Sequence, residues 1–272
     1  MRRIRAFVVL LLSVWLLVPA AAQQPPYRIL ISNDDGVRAP GLAAVAQILQ
    51  AIGEVIIVAP AENQSGTGHS ITITEPIFRE ELTLPNGLKA IGLTATPAST
   101  VKVALKNIVN PKPDLVVAGI NRGYNLGYSA YLSGTAGAAR EGAMAGIPAI
   151  AASLASGTND YVHAAEAVLG VARRVKQWGL PPHTFINVNV PAGEPRGTQV
   201  VTQAMSAGGD ESFAEAKHPN GRTYYWNVYK EGGAGEPGTD VWAVANGYVA
   251  VTAMRVGETD PKLQETIKGW FK

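Results

Sequence analysis

The sequence predicts an α/β fold, in which a mostly parallel sheet carries helices on both faces and a β-rich C-terminal extension follows. Between residues 27 and 190, short apolar segments alternate with segments whose apolar residues recur at helical spacing. Of the 272 residues, 47% are hydrophobic, which can fill a core, and 16% are charged, which is too few for a coiled coil. The 29 glycines and 18 prolines follow no collagen-like period and therefore indicate a fold with many turns.

The first βα unit begins at residue 27. Residues 27–32 (YRILIS) form a short apolar segment that Asn33-Asp34-Asp35-Gly36 interrupts, and Pro40 begins a segment with helical spacing. The apolar positions of this helix are Leu42, Val45, Ala46, Leu49 and Ile52. Residues 54–59 (EVIIVA) are continuously apolar, which is typical of a strand buried on both faces of a parallel sheet.

A hairpin and several more βα units follow the polar loop at residues 60–70. Pro85-Asn86-Gly87 has the composition of a hairpin turn, and we expect this hairpin to project from the sheet. Residues 97–109 then resume a helical pattern. Strands and helices continue to alternate at residues 114–119, 134–146, 148–153, 159–178 and 184–190. This alternation predicts parallel strands joined by helices that cover both faces of the sheet.

The pattern changes after Pro191, so we divide the chain into a core at 23–195 and a C-terminal extension at 196–272. Strand-like segments there are separated by glycine-rich stretches, and the helix predicted among them at residues 239–245 is short. These strand-like segments are residues 198–204, 223–229 and 248–254. The aromatic cluster Tyr224-Tyr225-Trp226 packs either against a partner subunit or in the local core, and the sequence leaves both open.

The first 22 residues are typical of a secretory signal peptide. A basic start is followed by an apolar run at residues 6–18 and by small residues up to Ala22; this run is shorter than the roughly 20 residues of a membrane helix. We expect cleavage after Ala22 and export to the periplasm, with a cytoplasmic location as the alternative. The segment holds three of the 23 basic residues, which leaves 20 against 21 acidic ones. That balance does not favour binding of nucleic-acid polymers, and no membrane association is expected after cleavage.

Polar residues that follow three of the predicted strands suggest a metal site. Asp34 and Asp35 follow the first strand, and the turn at Gly36 can direct both carboxylates to one ion. Ser65 can add a hydroxyl and Asn121 an amide carbonyl, which gives an all-oxygen set suited to magnesium, manganese or calcium. The absence of cysteine excludes thiolate ligands and thiol nucleophiles. A simple helix cap and ordinary turns are the alternative explanation for these residues.

The third loop suggests an anion site beside the metal. Glycines and asparagines alternate at residues 121–127, and Ser133-Gly134-Thr135 precedes a helix rich in alanine and glycine. Free N–H groups and hydroxyls at such a helix start suit a phosphate, whereas capping by Ser133 or Thr135 is the alternative. A phosphate site next to a carboxylate-held metal indicates phosphoryl chemistry, in which a metal-activated water attacks phosphorus.

The order of these motifs resembles the survival protein SurE family of metal-dependent 5'/3'-nucleotidases. The resemblance covers most of residues 28–249. Its matching segments are Arg28-Ile29-Leu30-Ile31-Ser32-Asn33-Asp34-Asp35-Gly36-Val37, Ala39-Pro40-Gly41, Val58-Ala59-Pro60, Asn63-Gln64-Ser65-Gly66, Ser70 to Thr72, Pro113-Asp114-Leu115-Val116-Val117, Gly119-Ile120-Asn121, Ser133-Gly134-Thr135, Ala138-Ala139, Glu141-Gly142, Asn187-Val188-Asn189-Val190-Pro191, Gly238-Thr239-Asp240 and Gly247-Tyr248-Val249.

The resemblance implies a fold, a reaction and a set of site residues. It implies a Rossmann-like core, an extension that exchanges between subunits, and homodimers or homotetramers. It also implies hydrolysis of nucleoside 5'-monophosphates, and of 3'-monophosphates, with one magnesium or manganese ion per subunit. The implied metal ligands are Asp34, Asp35, Ser65 and Asn121, of which Asp34, Asp35 and Asn121 are the catalytic candidates. The implied phosphate- and substrate-binding residues are Asn33, Gly123, Asn125, Ser133, Gly134 and Thr135.

Some features depart from the family or leave a choice. Ala98-Ser99-Thr100 stands where the family usually carries an acidic residue, so the base preference is open. His69 is a candidate for proton transfer or a structural residue. Three tyrosines, Tyr124, Tyr128 and Tyr131, can stack on a base or pack at a surface. The alternative function is that of an exported, non-catalytic protein that binds nucleotide or metal.

Two other classes of protein are disfavoured by the residues after the strands. A haloacid-dehalogenase-type phosphatase needs an aspartate two positions after Asp34, where this chain has Gly36. A receiver domain needs a phosphoacceptor aspartate at the end of the third strand, where this chain has Gly119-Ile120-Asn121.

Overall fold

The structure of the protein, a computed structural model, describes residues 25–206, 210–230 and 233–271. Across these ranges, no helix has the length and apolar character that crossing a membrane requires. The predicted signal peptide at residues 1–22 lies outside the described residues. Its cleavage and the export of the protein therefore stay predictions.

The described residues form a large sheet, a separate hairpin and seven α-helices. The strands are β1 (Arg28–Ser32), β2 (Glu54–Pro60), β3 (Arg79–Thr83), β4 (Lys89–Leu93), β5 (Leu115–Arg122), β6 (Ala149–Leu154), β7 (Thr184–Val190), β8 (Thr198–Val200), β9 (Asp210–Lys217), β10 (Thr223–Lys230) and β11 (Val249–Arg255). The helices are α1 (Pro40–Leu49), α2 (Pro97–Val103), α3 (Ser129–Leu132), α4 (Gly134–Met144), α5 (Val162–Trp178), α6 (Asp240–Ala245) and α7 (Pro261–Trp270), and a π-helical segment (Ala104–Ile108) follows α2.

The large sheet has nine strands in the order β3-β4-β2-β1-β5-β6-β7-β11-β8. The six strands from β4 to β7 pair in parallel, as predicted, whereas β3 and β11 each pair antiparallel with a neighbour. From β1 the chain moves to one side of the sheet through β2 and β4, and then returns to place β5 on the other side of β1. Because ligands of open α/β sheets bind where the strand order reverses, this topology places a crevice at the carboxyl ends of β1 and β5.

The core lies on both faces of the sheet. Within β1, Ile29 and Ile31 face one apolar cluster and Leu30 faces the other, as the two-residue period of a strand requires. Helices α1 and α5 contribute to the first cluster, and α2 and α4 contribute to the second. These two helical layers hold the sheet rigid on both faces and so fix the strand ends that form the crevice.

The hairpin around Pro85-Asn86-Gly87 forms as predicted, but our expectation that it projects from the sheet is wrong. Its second strand, β4, pairs in parallel with β2 through Ile57↔Ala90 to Pro60↔Leu93, so β3 becomes the edge of the large sheet. The apolar side chains of β4 explain the difference, because Ala90 is buried in one core cluster and Leu93 in the other, which removes both from water.

The extension also differs in detail from the prediction. Strand β8 is shorter than predicted, and β8 and β11 both join the large sheet. A hairpin of β9 and β10 forms a separate two-stranded sheet, and β9 was not predicted. The final helix, α7, was not predicted either, and none of its residues is buried.

Candidate metal and phosphate site

The predicted site residues after β1 lie at the crevice between β1 and β5. Asp34 is 3% exposed, and its backbone carbonyl accepts a hydrogen bond from Gln64 N at 2.7 Å. This bond brings the loop at residues 60–70, including Ser65, next to the turn that follows β1. Gly36 has a φ of +102°, which allows the chain to reverse directly after Asp35. The predicted convergence of the first two loops is therefore observed.

The amino end of α4 closes the other side of the crevice. Thr135 Oγ1 donates a hydrogen bond to Asp34 Oδ1 at 2.5 Å. A Cβ added to Gly134 would lie 2.8 Å from Asp34 Cβ, so the close approach of helix and carboxylate requires glycine at this position. Ser133 caps the helix, since its Oγ accepts a hydrogen bond from Ala136 N at 3.1 Å. The carboxylate and the helix start thus form one site.

The backbone of β5 connects Asp35 to the residue that follows Asn121. Asp35 Oδ2 accepts a hydrogen bond from Arg122 N at 3.2 Å, and Arg122 directly follows Asn121. Asn121 Nδ2 donates to Gly123 O at 2.8 Å, which fixes the orientation of the side-chain amide. The prediction placed Asn121 in a loop, whereas β5 continues through Arg122 after a register shift between Ala118 and Asn121. The structure therefore connects Asp35 to the residue next to Asn121, and a shared metal ion for Asp34, Asp35 and Asn121 stays a prediction.

The Asp34 carboxylate is buried and the adjacent Asp35 carboxylate is half-buried. Burial is the main cause that raises the pKa of Asp34 to about 6; the charge of Asp35 raises it further, and the hydrogen bond from Thr135 opposes both. Burial also raises the pKa of Asp35, against the hydrogen bond from the Arg122 backbone and the Arg122 charge. A divalent cation between these carboxylates would supply the missing positive charge.

The donor set fits a hard divalent cation. It offers two carboxylates from Asp34 and Asp35, the Asn121 amide oxygen and the Ser65 hydroxyl, all of which are oxygen ligands. In the described part of the chain, no three His, Cys, Asp or Glu side chains form a cluster that could hold a metal. A site with nitrogen or sulfur ligands of the kind that zinc or copper prefers is therefore not found in these ranges.

Two predicted substrate-binding residues have side chains engaged in internal hydrogen bonds. Asn33 is fully buried and donates from Nδ2 to Gly36 O at 2.8 Å, which braces the turn that carries the carboxylates. Asn33 Oδ1 is buried without a hydrogen-bond partner among the described residues. Asn125 donates from Nδ2 to Ser153 Oγ at 2.8 Å and is 8% exposed. Both asparagines therefore hold the loops in place, and a direct contact with substrate stays a prediction for each.

Comparisons with known proteins identify the family of this chain. Residues 29–210 match the family described as Survival protein SurE. The chain belongs to the SurE family. It is 41% identical over 251 residues to "5'-nucleotidase SurE" of Syntrophotalea carbinolica, which covers 89% of this chain and 96% of that protein. It is also 41% identical over 246 residues to "5'-nucleotidase SurE 1" of Thermus thermophilus, with 89% and 97% covered.

A solved structure of the SurE family has the same fold. The crystal structure of SurE protein from Aquifex aeolicus matches with a TM-score of 0.79 at 36% sequence identity. The match covers 90% of this chain and 100% of that chain. The predicted α/β fold is thereby confirmed.

His69 lies in the second loop of this SurE-family site but points away from the carboxylates. Its Nε2 lies 3.0 Å from Glu141 Oε2, and Lys102 Nζ lies 3.2 Å from Glu141 Oε1. Glu141 is seven positions after Gly134, which corresponds to about 10 Å along α4. Burial would raise the pKa of Glu141, but the hydrogen bonds from His69 and Lys102 hold it below its ordinary value. This geometry favours the structural role for His69.

The segment at residues 98–100, where the family usually carries an acid, is also occupied by internal contacts. Ser99 is 4% exposed, and its Oγ accepts a hydrogen bond from Thr72 N at 2.7 Å. Thr72 Oγ1 in turn accepts one from Thr96 N at 3.1 Å. The serine hydroxyl therefore provides the acceptor that ties the segment after the second loop to α2.

Two of the three tyrosines considered for base stacking contact each other. The ring centres of Tyr128 and Tyr131 are 6.4 Å apart, the rings are tilted, and both residues are a little less than half exposed. Tyr131 also stacks on Arg140, whose guanidinium carbon lies 5.7 Å from the ring centre. Surface packing accounts for these contacts, and stacking on a base stays a prediction.

Sequence reasoning missed the polar groups beneath the third loop. Asn187 and Asn189 of β7 bond the backbone of Asn125, and Asp240 at the start of α6 bonds the backbone of Gly127. All three of these side chains are at most 1% exposed. A signal for the asparagines existed, because two amides at alternate positions of an otherwise apolar strand must find buried hydrogen-bond partners.

Proposed function

We propose that this chain is a metal-dependent 5'-nucleotidase that removes phosphate from nucleoside monophosphates. The observation that carries the proposal is the bond between Thr135 and the buried Asp34, which joins a pair of adjacent carboxylates to the amino end of a helix at the crevice. Carboxylates that hold a cation and a helix start that binds an anion are the two parts that phosphate-ester hydrolysis requires. The curated relatives named above carry the name 5'-nucleotidase SurE.

In this mechanism Asp34, Asp35, Ser65 and Asn121 hold one divalent cation, with magnesium or manganese as the proposed ion. When bound, the cation supplies Lewis acidity for the phosphate and an activated water. Asn121 presents its amide oxygen because Gly123 O holds its Nδ2 group. Thr135 keeps Asp34 in place through the hydroxyl hydrogen bond.

The start of α4 positions the phosphate. Ser133 Oγ accepts from Ala136 N, so its own O–H remains available to donate to a phosphate oxygen. The backbone N–H of Gly134 belongs to the first turn of the helix, where such groups have no partner within the helix. The backbone N–H of Thr135 instead interacts with the Asp34 carboxylate and lowers the pKa of that group. The Thr135 hydroxyl donates to Asp34 and therefore acts on the carboxylate rather than on the phosphate.

We further propose that the protein acts as a homodimer or homotetramer through its extension. The β9–β10 hairpin exposes Phe213, Tyr225 and Trp226, each more than 60% accessible in the single chain. Helix α7 exposes Leu263 and Trp270 and buries none of its residues. Apolar surface of this extent favours burial against a partner subunit, in agreement with an exchanged extension.

We propose that the protein is exported to the periplasm, on the basis of the sequence of residues 1–22. A nucleotidase in that compartment would act on external nucleotides. Fusing residues 1–22 to a reporter enzyme that is active only after export tests this part. Reporter activity with the native segment, and none when its apolar run carries two arginines, is the expected outcome. The absence of reporter activity from both fusions would contradict export.

Phosphate release from nucleoside monophosphates tests the proposed activity. The purified protein is assayed with 5'-AMP, 3'-AMP and the corresponding uridine and guanosine esters, with manganese or magnesium and with excess chelator. We expect turnover of 5'-monophosphates that chelator abolishes and added metal restores, and turnover of 3'-monophosphates as well. A folded protein that binds metal but releases no phosphate from any of these esters would contradict the proposal and favour the non-catalytic alternative.

A further inference from the structure

The segment at residues 121–127, which comprises the last two residues of β5 and the loop after it, is held by hydrogen bonds along its length. At its start, Gly123 N donates to Leu154 O at 2.7 Å, which ties the loop to β6. In its middle, Asn125 N donates to Asn189 Oδ1 at 2.8 Å, and Asn125 O accepts from Asn187 Nδ2 at 2.8 Å. These bonds connect the candidate metal ligand Asn121 to the adjacent strands of the core.

The far end of this loop is held by the C-terminal extension instead. Gly127 N donates to Asp240 Oδ2 at 2.9 Å, and Gly127 O accepts from Gln203 Nε2 at 2.7 Å. A Cβ added to Gly127 would collide with the backbone carbonyl of Ser206, so loop and extension are in direct contact here. Both backbone polar groups of Gly127 thus bind side chains that lie more than 70 residues later in the chain.

Gly127 lies midway along the chain between the candidate metal ligand Asn121 and the phosphate-binding start of α4. Asn121 lies six residues before it, and Ser133 lies six residues after it. Between Gly127 and Ser133 the chain forms the single turn of α3, which starts with Ser129 N and Oγ donating to Leu126 O. A displacement of Gly127 would therefore move the metal ligand and the phosphate-binding helix start relative to each other.

Asp240 is suited to fix this point because all the described hydrogen-bond partners of its carboxylate are backbone N–H groups. Its Oδ1 accepts from Ala204 N and from its own neighbour Val241 N, each at 2.9 Å, and its Oδ2 accepts from Gly127 N. The residue is fully buried, and no lysine or arginine in the described chain forms a salt bridge with it. Rigid backbone donors on two segments define the position of the carboxylate more narrowly than flexible side chains would.

We propose that Asp240 is a positioning residue for the metal and phosphate site, and that Gln203 assists it. Through these two side chains the extension sets the geometry between Asn121 and the start of α4. The proposal rests on the proposed nucleotidase function for its catalytic consequence. The extension is then part of the active-site scaffold as well as a surface for association.

The test compares Asp240→Asn with a control at the C-cap of the same helix. An asparagine offers one acceptor oxygen where the carboxylate offers two, so Gly127 N and Ala204 N cannot both keep their partner. The control is Asn246→Ala, which removes the bond from Asn246 Nδ2 to Trp242 O at the other end of α6 and does not touch Gly127. Both variants are assayed at a temperature well below their Tm.

We expect kcat of Asp240→Asn to fall about tenfold, because misplacement of a reacting group by a fraction of an ångström has effects of this order. The manganese concentration for half-maximal activity should rise as well, while KM for the nucleotide changes less than kcat. Gln203→Ala removes the second bond to Gly127 and should act in the same direction with about a threefold loss. Asn246→Ala should lower Tm without these changes. Asp240→Asn with reduced Tm but wild-type kcat and manganese dependence would overturn the proposal.

Two readouts do not depend on turnover. Manganese affinity by calorimetry and amide hydrogen exchange at residues 121–135 are measured on the same proteins. We expect weaker manganese binding and faster exchange in Asp240→Asn and in Gln203→Ala than in the control. If wild-type protein hydrolyses no monophosphate, the proposed function fails, and these two readouts still decide the positioning role. If Asp240→Asn does not fold, Gln203→Ala decides it by the same criteria, and wild-type values in that variant would overturn it.

Discussion

Replacing Asp34 by asparagine separates the electrostatic role of this side chain from its packing role. The asparagine has nearly the same volume, and its Oδ1 can still accept the hydrogen bond from Thr135 Oγ1. The substitution removes the negative charge of the Asp34 carboxylate, whose pKa is raised by burial to about 6. We therefore expect opposite effects on the two properties, a loss of metal-dependent activity and a gain in stability of the metal-free protein.

The magnitude follows from the shift of that pKa. A folded-state pKa of about 6 against the ordinary value of 3.8 is a shift of roughly two units, at about 1.4 kcal/mol each. The folded state binds this proton more tightly than the unfolded state, so its contribution to stability is fully present below about pH 4 and is lost as the pH rises through 6. At pH 8, ionised Asp34 thus costs the metal-free protein about 3 kcal/mol.

Thermal unfolding between pH 4 and pH 8 in the presence of chelator measures this difference. We expect Asp34→Asn to have a Tm about 5–10 °C above wild type at pH 8 and a similar Tm at pH 4. Manganese should raise the Tm of wild type and leave the variant unchanged, and activity should fall at least about 100-fold. Glu62→Gln is the control, because it removes an exposed acid from the adjacent loop and leaves Asp34 in place. A variant that keeps metal-dependent turnover, or that has no stability gain at pH 8, would refute this reasoning.

Three further substitutions test other contacts of the site. Gly134→Ala should reduce kcat about tenfold or more, because the new Cβ would lie 2.8 Å from Asp34 Cβ. Gly157→Ala is the control and should leave kcat unchanged, because its Cβ would meet no atom within 4 Å. Equal activity of the two variants would contradict this prediction. Thr135→Val removes a bond that lowers the pKa of Asp34, so the manganese concentration for half-maximal activity at pH 7 should rise several-fold, and an unchanged value would argue against that bond. His69→Gln should lower Tm and keep kcat within about threefold of wild type, since the imidazole binds Glu141 of α4. Loss of the basic limb of the pH–rate profile would instead indicate that His69 transfers a proton.

The fold of the core could be predicted because its signals are local. The apolar run of β1, the reversal at Gly36 and the helical spacing after Pro40 each depend on a few neighbouring residues. The position of β3 and β4 at one side of the large sheet could not be predicted in this way, because it depends on the pairing of β4 with β2, some 30 residues away. Strand β9 (DESFAEAK) contains few apolar residues and so lacks the alternating pattern of a half-buried strand. Helix α7 has no buried face in the single chain, and its sequence therefore gave no strong helical pattern.

The candidate site likewise contains features that the sequence predicts and contacts that it does not. Asp34 and Asp35 follow β1, and Asn121 lies at the carboxyl end of the neighbouring strand β5, so the proximity of these two strand ends was predictable from the order of the strands. The orientation of His69 toward Glu141 and the bond from Asp240 to Gly127 join segments more than 70 residues apart. Such contacts depend on how the loops pack in three dimensions, and no local spacing encodes them.

Anomalous diffraction from crystals grown with manganese tests the central claim most directly. If the carboxylate pair and Asn121 form the metal centre of a nucleotidase, one anomalous peak per subunit will lie between Asp34, Asp35 and Asn121. Soaking with phosphate will then add density at the start of α4, next to Ser133 and Gly134. A manganese peak elsewhere in the molecule, with none at the carboxylate pair, would contradict the account.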